Sequence, residues 1–395
     1  MSSVFSQSAA VISMNIRSLP RRLWMSLAMV LASAVVVAIL LAFLAMAKGF
    51  ESTMQSAGAN DVAFIIRGGS AAELNSVLGR DQVNLLENAP GIAKDEQGPI
   101  VSAELYVIVD GKKRSSGTKA NLPLRGLDLR GVNMRKNFAL EQGRMFTPGT
   151  NEVIVGAGVL RQFSGFDLGS EIRSGRNSWK VVGVFSTGGN VFESEIWADA
   201  KVVQNLYNRG SSYQSMRAQL EPNADIQAIK DYVKNDPRLN QDVQTEADYF
   251  SEQGKSLSYI AIFGRIISTI MALGALAGAL NTMYTSVSDR AKEIATLRAI
   301  GFSHMSAFIG TLAEAMVLAA LGGLFGVIAA YLFFDGMNAS TLGGSFTQVV
   351  FSFNLTTELI TQGAILALII GFFSGVFPAW RAAKTPVIVA FQSSH

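Results

Sequence analysis

The run LWMSLAMVLASAVVVAILLAFLAMA, residues Leu23–Ala47, decides the class of this protein. It carries no charge over about 25 residues, and roughly 20 apolar residues in helix cross about 30 Å of hydrocarbon at 1.5 Å each. Arg21 and Arg22 before it and Ala45-Met46-Ala47 at its end imitate a secretory signal with a cleavage site. Signal cores extend over only about 7–15 residues, so an uncleaved anchor helix is expected instead.

Three further runs, Ile260–Tyr284, Ala307–Phe334 and Leu359–Phe377, have similar length and polarity. The whole chain of 395 residues is 49% hydrophobic and 16% charged, with a mean hydropathy of +0.30, the composition of a membrane protein. The expected fold class is an α-helical membrane protein with four transmembrane helices and a large α+β extracytoplasmic domain between helices one and two. Its expected divisions are an interfacial elbow helix (1–22), span one (23–47), the outer domain (48–255), span two (256–287) and a cytoplasmic loop (288–306). Span three (307–334), a short outer loop (335–357), span four (358–378) and a cytoplasmic tail (379–395) follow.

Positive charge beside the spans sets their orientation. Arg17, Arg21 and Arg22 precede span one, Arg290, Lys292 and Arg298 lie between spans two and three, and Arg381 and Lys384 follow span four. The stretch from Asp335 to Glu358 has neither Lys nor Arg. Both termini are therefore expected in the cytoplasm and the large domain outside. Ahead of span one, Phe5, Ala9, Ile12, Ile16 and Leu19 repeat at helical steps up to Pro20, the pattern of a helix lying on the inner leaflet and its lipids, with a disordered Ser-rich tail that merely contains some aliphatics as the alternative.

Several function classes fall away on composition. A net charge of +3 without any basic block interleaved with aromatics excludes nucleic acid as a partner. The sequence has no cysteine, and its two histidines, His304 and His395, lie outside the large domain, which removes thiolate, zinc and histidine-triad chemistry there. Gly254-Lys255-Ser256 imitates the end of a phosphate-binding loop, but Tyr249 stands where the first glycine is needed. Glu193 and Glu195 flank Ser194 on an expected extended segment, a pattern that a solvated strand face produces more often than a catalytic pair does. The chain is not read as an enzyme, and no catalytic, cofactor-binding or metal-binding residue is assigned.

Within the large domain, Asp61–Arg67, Ala103–Val109, Glu152–Val155 and Lys180–Phe185 read as strands, with a hairpin turn at Asp110-Gly111. Helices are expected at Ala71–Leu78, Asp81–Asn88, Asp199–Tyr207 and Ala224–Lys234. From Thr245, a near capping box and the lack of proline predict one unbroken helix running down through span two.

The cytoplasmic loop Ser288–Ser306 is the most informative segment. Ile294, Leu297 and Ile300 share a helical face, Arg290, Glu293 and Arg298 project elsewhere, and Gly301 closes the helix, so a partner's groove or a plain connector both fit. Arg265 and Glu314 place charge inside spans two and three, where it usually faces a bundle interior, a cavity or a partner. Glycine pairs at four-residue spacing, Gly274/Gly278, Gly322/Gly326 and Gly371/Gly375, predict close helix packing rather than a wide pore.

Three runs carry a family resemblance. They are Arg290-Ala-Lys-Glu293-Ile294-Ala-Thr-Leu297-Arg298-Ala-Ile-Gly301 with Glu314 and Gly322-Gly323; Gly371-Phe-Phe-Ser-Gly375-Val-Phe-Pro378-Ala-Trp-Arg381-Ala-Ala-Lys384-Thr-Pro386; and Glu141-Gln-Gly143-Arg144-Met-Phe146 with Glu152-Val-Ile-Val-Gly156 and Trp179-Lys-Val-Val-Gly183-Val184-Phe185. Together they resemble the MacB/FtsX-like ABC transporter permeases, the group that includes lipoprotein-release permeases. The resemblance implies a coupling helix within Ser288–Ser306, with Arg290, Glu293, Ile294, Leu297, Arg298 and Gly301 as its coupling residues and Glu293, Leu297, Arg298 and Gly301 facing a separate cytoplasmic ATPase that binds ATP and Mg. It further implies pairing with a second permease copy or paralogue, a place in a bacterial inner membrane, and mechanotransmission from the ATPase to the outer domain. The expected task is export or extraction of a hydrophobic or lipid-linked molecule, with room for a periplasmic adaptor. The alternative is a signalling scaffold that controls a cell-wall hydrolase or a sensor.

Overall fold

A computed structural model describes residues 4–175, 177–255, 258–343 and 347–384. Expectations resting on Ser256, Leu257, Thr385, Pro386 or His395 lie outside the described residues. The chain divides into a helical unit (Met1–Lys48, Tyr259–Met337, Phe353–His395) and an α+β unit (Gly49–Ser258, Asn338–Ser352).

In chain order the helices are α1 (Val4–Ser18), α2 (Leu23–Gln55), α3 (Arg80–Leu86), α4 (Leu129–Asn133), α5 (Ala157–Gln162), α6 (Ala200–Leu206), α7 (Ile226–Asn235), α8 (Glu246–Lys255), α9 (Ser258–Asp289), α10 (Ala291–Ala299), α11 (His304–Phe334) and α12 (Thr357–Lys384). Among the described residues, four helices are long and apolar enough to cross a membrane: α2, α9, α11 and α12. Pro20 sits in the 3-10 turn Leu19–Arg22 that separates α1 from α2, and Ser303 caps α11 by accepting the Ser306 N–H. The unbroken helix expected from Thr245 is α8 and α9, whose junction falls outside the described residues. It is α2 that runs without interruption from one unit into the other.

Along the chain the strands are β1 (Val62–Arg67), β2 (Lys94–Asp95), β3 (Gly98–Pro99), β4 (Val101–Lys113), β5 (Lys119–Leu127), β6 (Ala139–Gly143), β7 (Glu152–Gly156), β8 (Phe163–Ser164), β9 (Glu171–Ser174), β10 (Asn177–Ser186), β11 (Ile196–Asp199), β12 (Ser215–Gln219), β13 (Gln241–Thr245), β14 (Asn338–Leu342) and β15 (Gln348–Ser352). One sheet runs β13-β1-β12-β4-β5-β11-β7-β10-β6. The long strand β4 joins two lobes. Its first residues, Val101–Glu104, pair with β12, and Leu105–Lys112 pair with β5. Each lobe has its own apolar core, one around Ile65, Leu86, Met216 and Ile229, the other around Leu105, Val155, Trp179 and Val184.

Two expectations fail here for identifiable reasons. Asp110 and Gly111 make no turn, because the long β4–β5 register pairs them with Asn121 and Ala120 and sets Gly111 tightly on Leu122; the chain reverses nearer Gly117, at φ +67°. Ala71–Leu78 forms only a 3-10 turn, Glu73–Asn75, since the Glu73 carboxylate is drawn into a buried ion cluster and Leu78 bridges Tyr213.

The stretch between α11 and α12, expected only as a short connection, forms the hairpin β14–β15 inside the α+β unit. There the Val350 N–H donates to Ser194 Oγ at 2.8 Å, and Tyr106 Oη lies 2.9 Å from Thr347 Oγ1. The chain thus passes between the units four times, at Lys48–Gly49, Ser258–Tyr259, Met337–Asn338 and Ser352–Phe353.

Candidate functional site

At the seam between the lobes of the α+β unit, three arginines and four glutamates are buried together. Arg125 on β5 grips Glu73 (2.8 and 2.9 Å) and Glu195 (2.7 and 2.6 Å) with paired bonds and also reaches Glu104 at 2.9 Å. Glu104 accepts two bonds from Arg135 at 2.7 Å and one from Arg217, whose Nε donates to Glu246 at 2.8 Å. Burial raises the Glu104 pKa, but Arg135, Arg217 and Arg125 more than offset this and hold it at about 2. Glu73 likewise stays below the usual carboxylate range, with burial opposed by Arg125 and Arg217.

This cluster corrects the expectation for Glu193 and Glu195, which are buried rather than solvated and belong to different networks. Glu195 takes Arg125 and the Trp197 indole N–H. Glu193 accepts the backbone N–H groups of Thr187 and Gly189 and a bond from Arg161 at 2.9 Å. With every carboxylate oxygen of Glu73, Glu104 and Glu195 facing guanidinium or other donors, the cluster is an ionic joint between elements and not acid/base machinery.

In the helical unit, α10 stands between α9 and α11, and Gly301 ends it at φ +104°. Lys292, Glu293, Thr296, Ala299 and Ile300 are exposed, Ile300 at 69%. Ile294 and Leu297, expected on the partner-facing side, instead line a small cleft with Val11 and Met14 of α1. Arg290, expected among the docking residues, is buried, because its guanidinium is the counter-charge of Glu314 at 3.0 Å. Arg298 lies 3.3 Å from His304, whose Nδ1 is 2.7 Å from the Ala383 carbonyl of α12. Beyond His304 lies a groove of about 440 Å³ lined by Met305, Phe308, Trp380 and Lys384.

The glycine pairs separate into two groups. A Cβ at Gly322 would sit 2.7 Å from Ser33 Cβ, at Gly326 2.7 Å from the Ala34 carbonyl, at Gly371 2.6 Å from Ala319 Cβ and at Gly375 2.7 Å from Ala315 Cβ, so α2, α11 and α12 do pack closely. Gly274 and Gly278 meet nothing within 4 Å. Close packing therefore does not extend to this pair, because α9 leaves Ile262, Phe263, Ile266, Ile270 and Leu273 exposed. Arg265 lies exposed on this same helix.

Residues 25–236 match the family model of the MacB-like periplasmic core domain, and residues 265–387 match the FtsX-like permease C-terminal model. The chain belongs to the MacB/FtsX-like ABC transporter permease family. An uncharacterized ABC transporter permease from Methanocaldococcus jannaschii is 21% identical over 84% of this chain and 84% of its own length. The macrolide export ATP-binding/permease protein MacB of Chlorobium luteolum is 24% identical over 93% of this chain, which spans only 57% of that protein. The periplasmic region of MacB from Actinobacillus actinomycetemcomitans aligns with 49% of the chain and 92% of that structure at 15% identity and a TM-score of 0.38. One matched region is thus a periplasmic core domain and the other a permease domain, and membership of the ABC transporter permease family implies an ATPase partner. The buried seam escaped sequence reading because its members scatter from Glu73 to Glu246 with no common spacing.

Proposed function

We propose that this permease converts ATP hydrolysis by a separate cytoplasmic ATPase, which holds ATP and Mg, into motion of its outer α+β unit, and so extracts or exports a hydrophobic or lipid-linked molecule. The observation that carries this reading is the placement of α10. It is nine residues long, it bridges two membrane-type helices, and it presents Lys292, Glu293, Thr296 and Ile300 outward. Charged and apolar groups exposed together suit docking in a partner's groove. In this reading both termini are cytoplasmic, and the four chain passages between the units carry the motion. The open Gly274/Gly278 face of α9 supports pairing with a second permease copy or a paralogue.

The test is a gentle-detergent pull-down of the tagged protein with ATP hydrolysis assayed in the eluate. A stoichiometric ATPase is expected, and Glu293→Lys, which reverses charge on an exposed helix, should cut its stimulation by about tenfold or more while leaving the permease folded. Normal stimulation by that variant refutes the assignment of the docking face. Accumulation of lipid or lipoprotein on depletion supports transport, whereas a shape defect without accumulation supports the scaffold.

A further inference from the structure

Helix α10 is too short to hold itself together. Nine residues are below the length at which isolated helices persist in water, and Arg290 at its N-cap supplies no side-chain capping bond. Its two ends are instead tied to α1. At the start, buried Arg290 donates to Asn15 Oδ1 of α1 and to Glu314 Oε2 of α11, and its Nε reaches Glu293 at 3.1 Å. At the end, Gln7 of α1 accepts the Ser303 N–H at 3.0 Å and donates to the Gly301 carbonyl at 3.4 Å. Between the two ties, Val11 and Met14 of α1 meet Ile294, Leu297 and Phe302 across the cleft.

The same polar cluster reaches α9 and the turn Leu19–Arg22 before α2. Ser286 Oγ lies 3.5 Å from Glu314 Oε1, and Arg22 donates to the Ser286 hydroxyl and carbonyl at 2.8 and 2.9 Å. Helix α1 can lie this close because Gly310 of α11 has no side chain: a Cβ there would sit 2.4 Å from Val11 Cγ1. The apolar residues Phe5 and Ile16 are exposed on α1 while Ser8, Val11 and Asn15 are buried. Ser8, Val11 and Asn15 thus form the inward face of α1, while Phe5 and Ile16 lie on its exposed side.

We propose that α1 is a splint for α10 and that Arg290–Glu314 is its latch, so that Gln7, Asn15, Arg290 and Glu314 are positioning residues that make α10 move as one body with α11. This rests on the reading of α10 as the ATPase-docking helix. A load on Glu293 or Ile300 then reaches α11 through the buried ion pair instead of being lost as local unwinding of a nine-residue helix.

The experiment measures amide hydrogen exchange of the full chain in detergent, with Asn15→Ala, Asn15→Asp and Glu314→Gln, alongside partner-ATPase stimulation. Loss of a bond to a charged group is expected to speed exchange of α10 amides by about tenfold or more in Asn15→Ala and Glu314→Gln, with the α+β unit unchanged. Asn15→Asp keeps an acceptor for Arg290 and should retain protection, a rescue that general loosening of the fold does not predict. If Glu314→Gln fails to fold, Asn15→Ala carries the comparison alone. Unaltered α10 exchange in the variants that fold overturns the splint whatever the ATPase does. Faster exchange with undiminished stimulation supports the splint and instead counts against α10 as the docking helix.

Discussion

Glu104→Gln probes the ionic seam at its most connected point. Glu104 is the only carboxylate that pairs with Arg135 among the described residues, and both side chains are fully buried. The substitution keeps the shape but leaves the Arg135 guanidinium without a counter-charge, a change that costs roughly 3–5 kcal/mol at buried pairs. For a domain of about 200 residues, each kcal/mol moves the melting temperature by about 2–4 °C, so a fall of roughly 6–20 °C is expected. Tryptophan fluorescence suits the assay, since Trp179 and Trp197 are buried in the α+β unit whereas Trp24 and Trp380 are exposed on the helical unit. Removing both partners, as Glu104→Gln with Arg135→Gln, should be less damaging than the sum of the single changes by about 1–3 kcal/mol. A Glu104→Gln protein that melts within about 2 °C of wild type, or a double variant that simply adds the single losses, would falsify the account of Arg135 as a dependent charge.

Acid should act on the same joint. Glu104 is depressed from 4.5 to about 2 in the folded state, so its contribution is present above pH 4.5 and is lost as the pH falls from there through about 2; Trp fluorescence during acid titration should drop over this window, and less steeply in Glu104→Gln. Gly371→Leu is expected to destabilise the helical unit by roughly 1–3 kcal/mol, because even its Cβ would collide with Ala319, whereas Gly278→Leu, open on α9, should leave the melting of the single chain unaltered. Thermal aggregation in detergent distinguishes the two. Lys48→Pro interrupts α2 where it passes between the units, at a local cost of about 3 kcal/mol; if α2 belongs to the proposed relay, membrane insertion should survive while lipid or lipoprotein accumulates as on depletion, and the absence of accumulation would remove α2 from that relay.

The membrane helices were readable because lipid leaves a helix no choice: the charge-free run Leu23–Ala47 and its three counterparts satisfy the same length and polarity rule, and they map onto α2, α9, α11 and α12. Strands β1, β7 and β10 were readable for a related reason, as β-branched runs between turn residues. Local rules failed where a partner distant in sequence took control. Asp110-Gly111 has the chemistry of a turn but lies within a register set by many β4–β5 pairs, and Glu73 leaves a helical pattern to meet Arg125. Arg290 misled in the same way, since a charged residue at the edge of an amphipathic helix reads as exposed until Glu314 and Asn15 are known to lie beside it.

Arg125 and Arg290 are therefore the same device, one in each unit. A buried guanidinium brings little net stability against a well-packed apolar group, because its desolvation consumes most of the attraction. What it adds is geometric: five donors in a rigid fork accept only one arrangement of the surrounding carboxylates. Arg125 holds Glu73, Glu104 and Glu195 from three separate segments where β4 changes partner, and Arg290 holds α1, α10 and α11 where the chain turns between spans. A protein whose proposed work is to carry displacement needs its joints fixed in angle more than it needs them strong. Apolar contacts at these two junctions would slide under load, whereas an arginine shared among several acceptors resists sliding until its bonds break together.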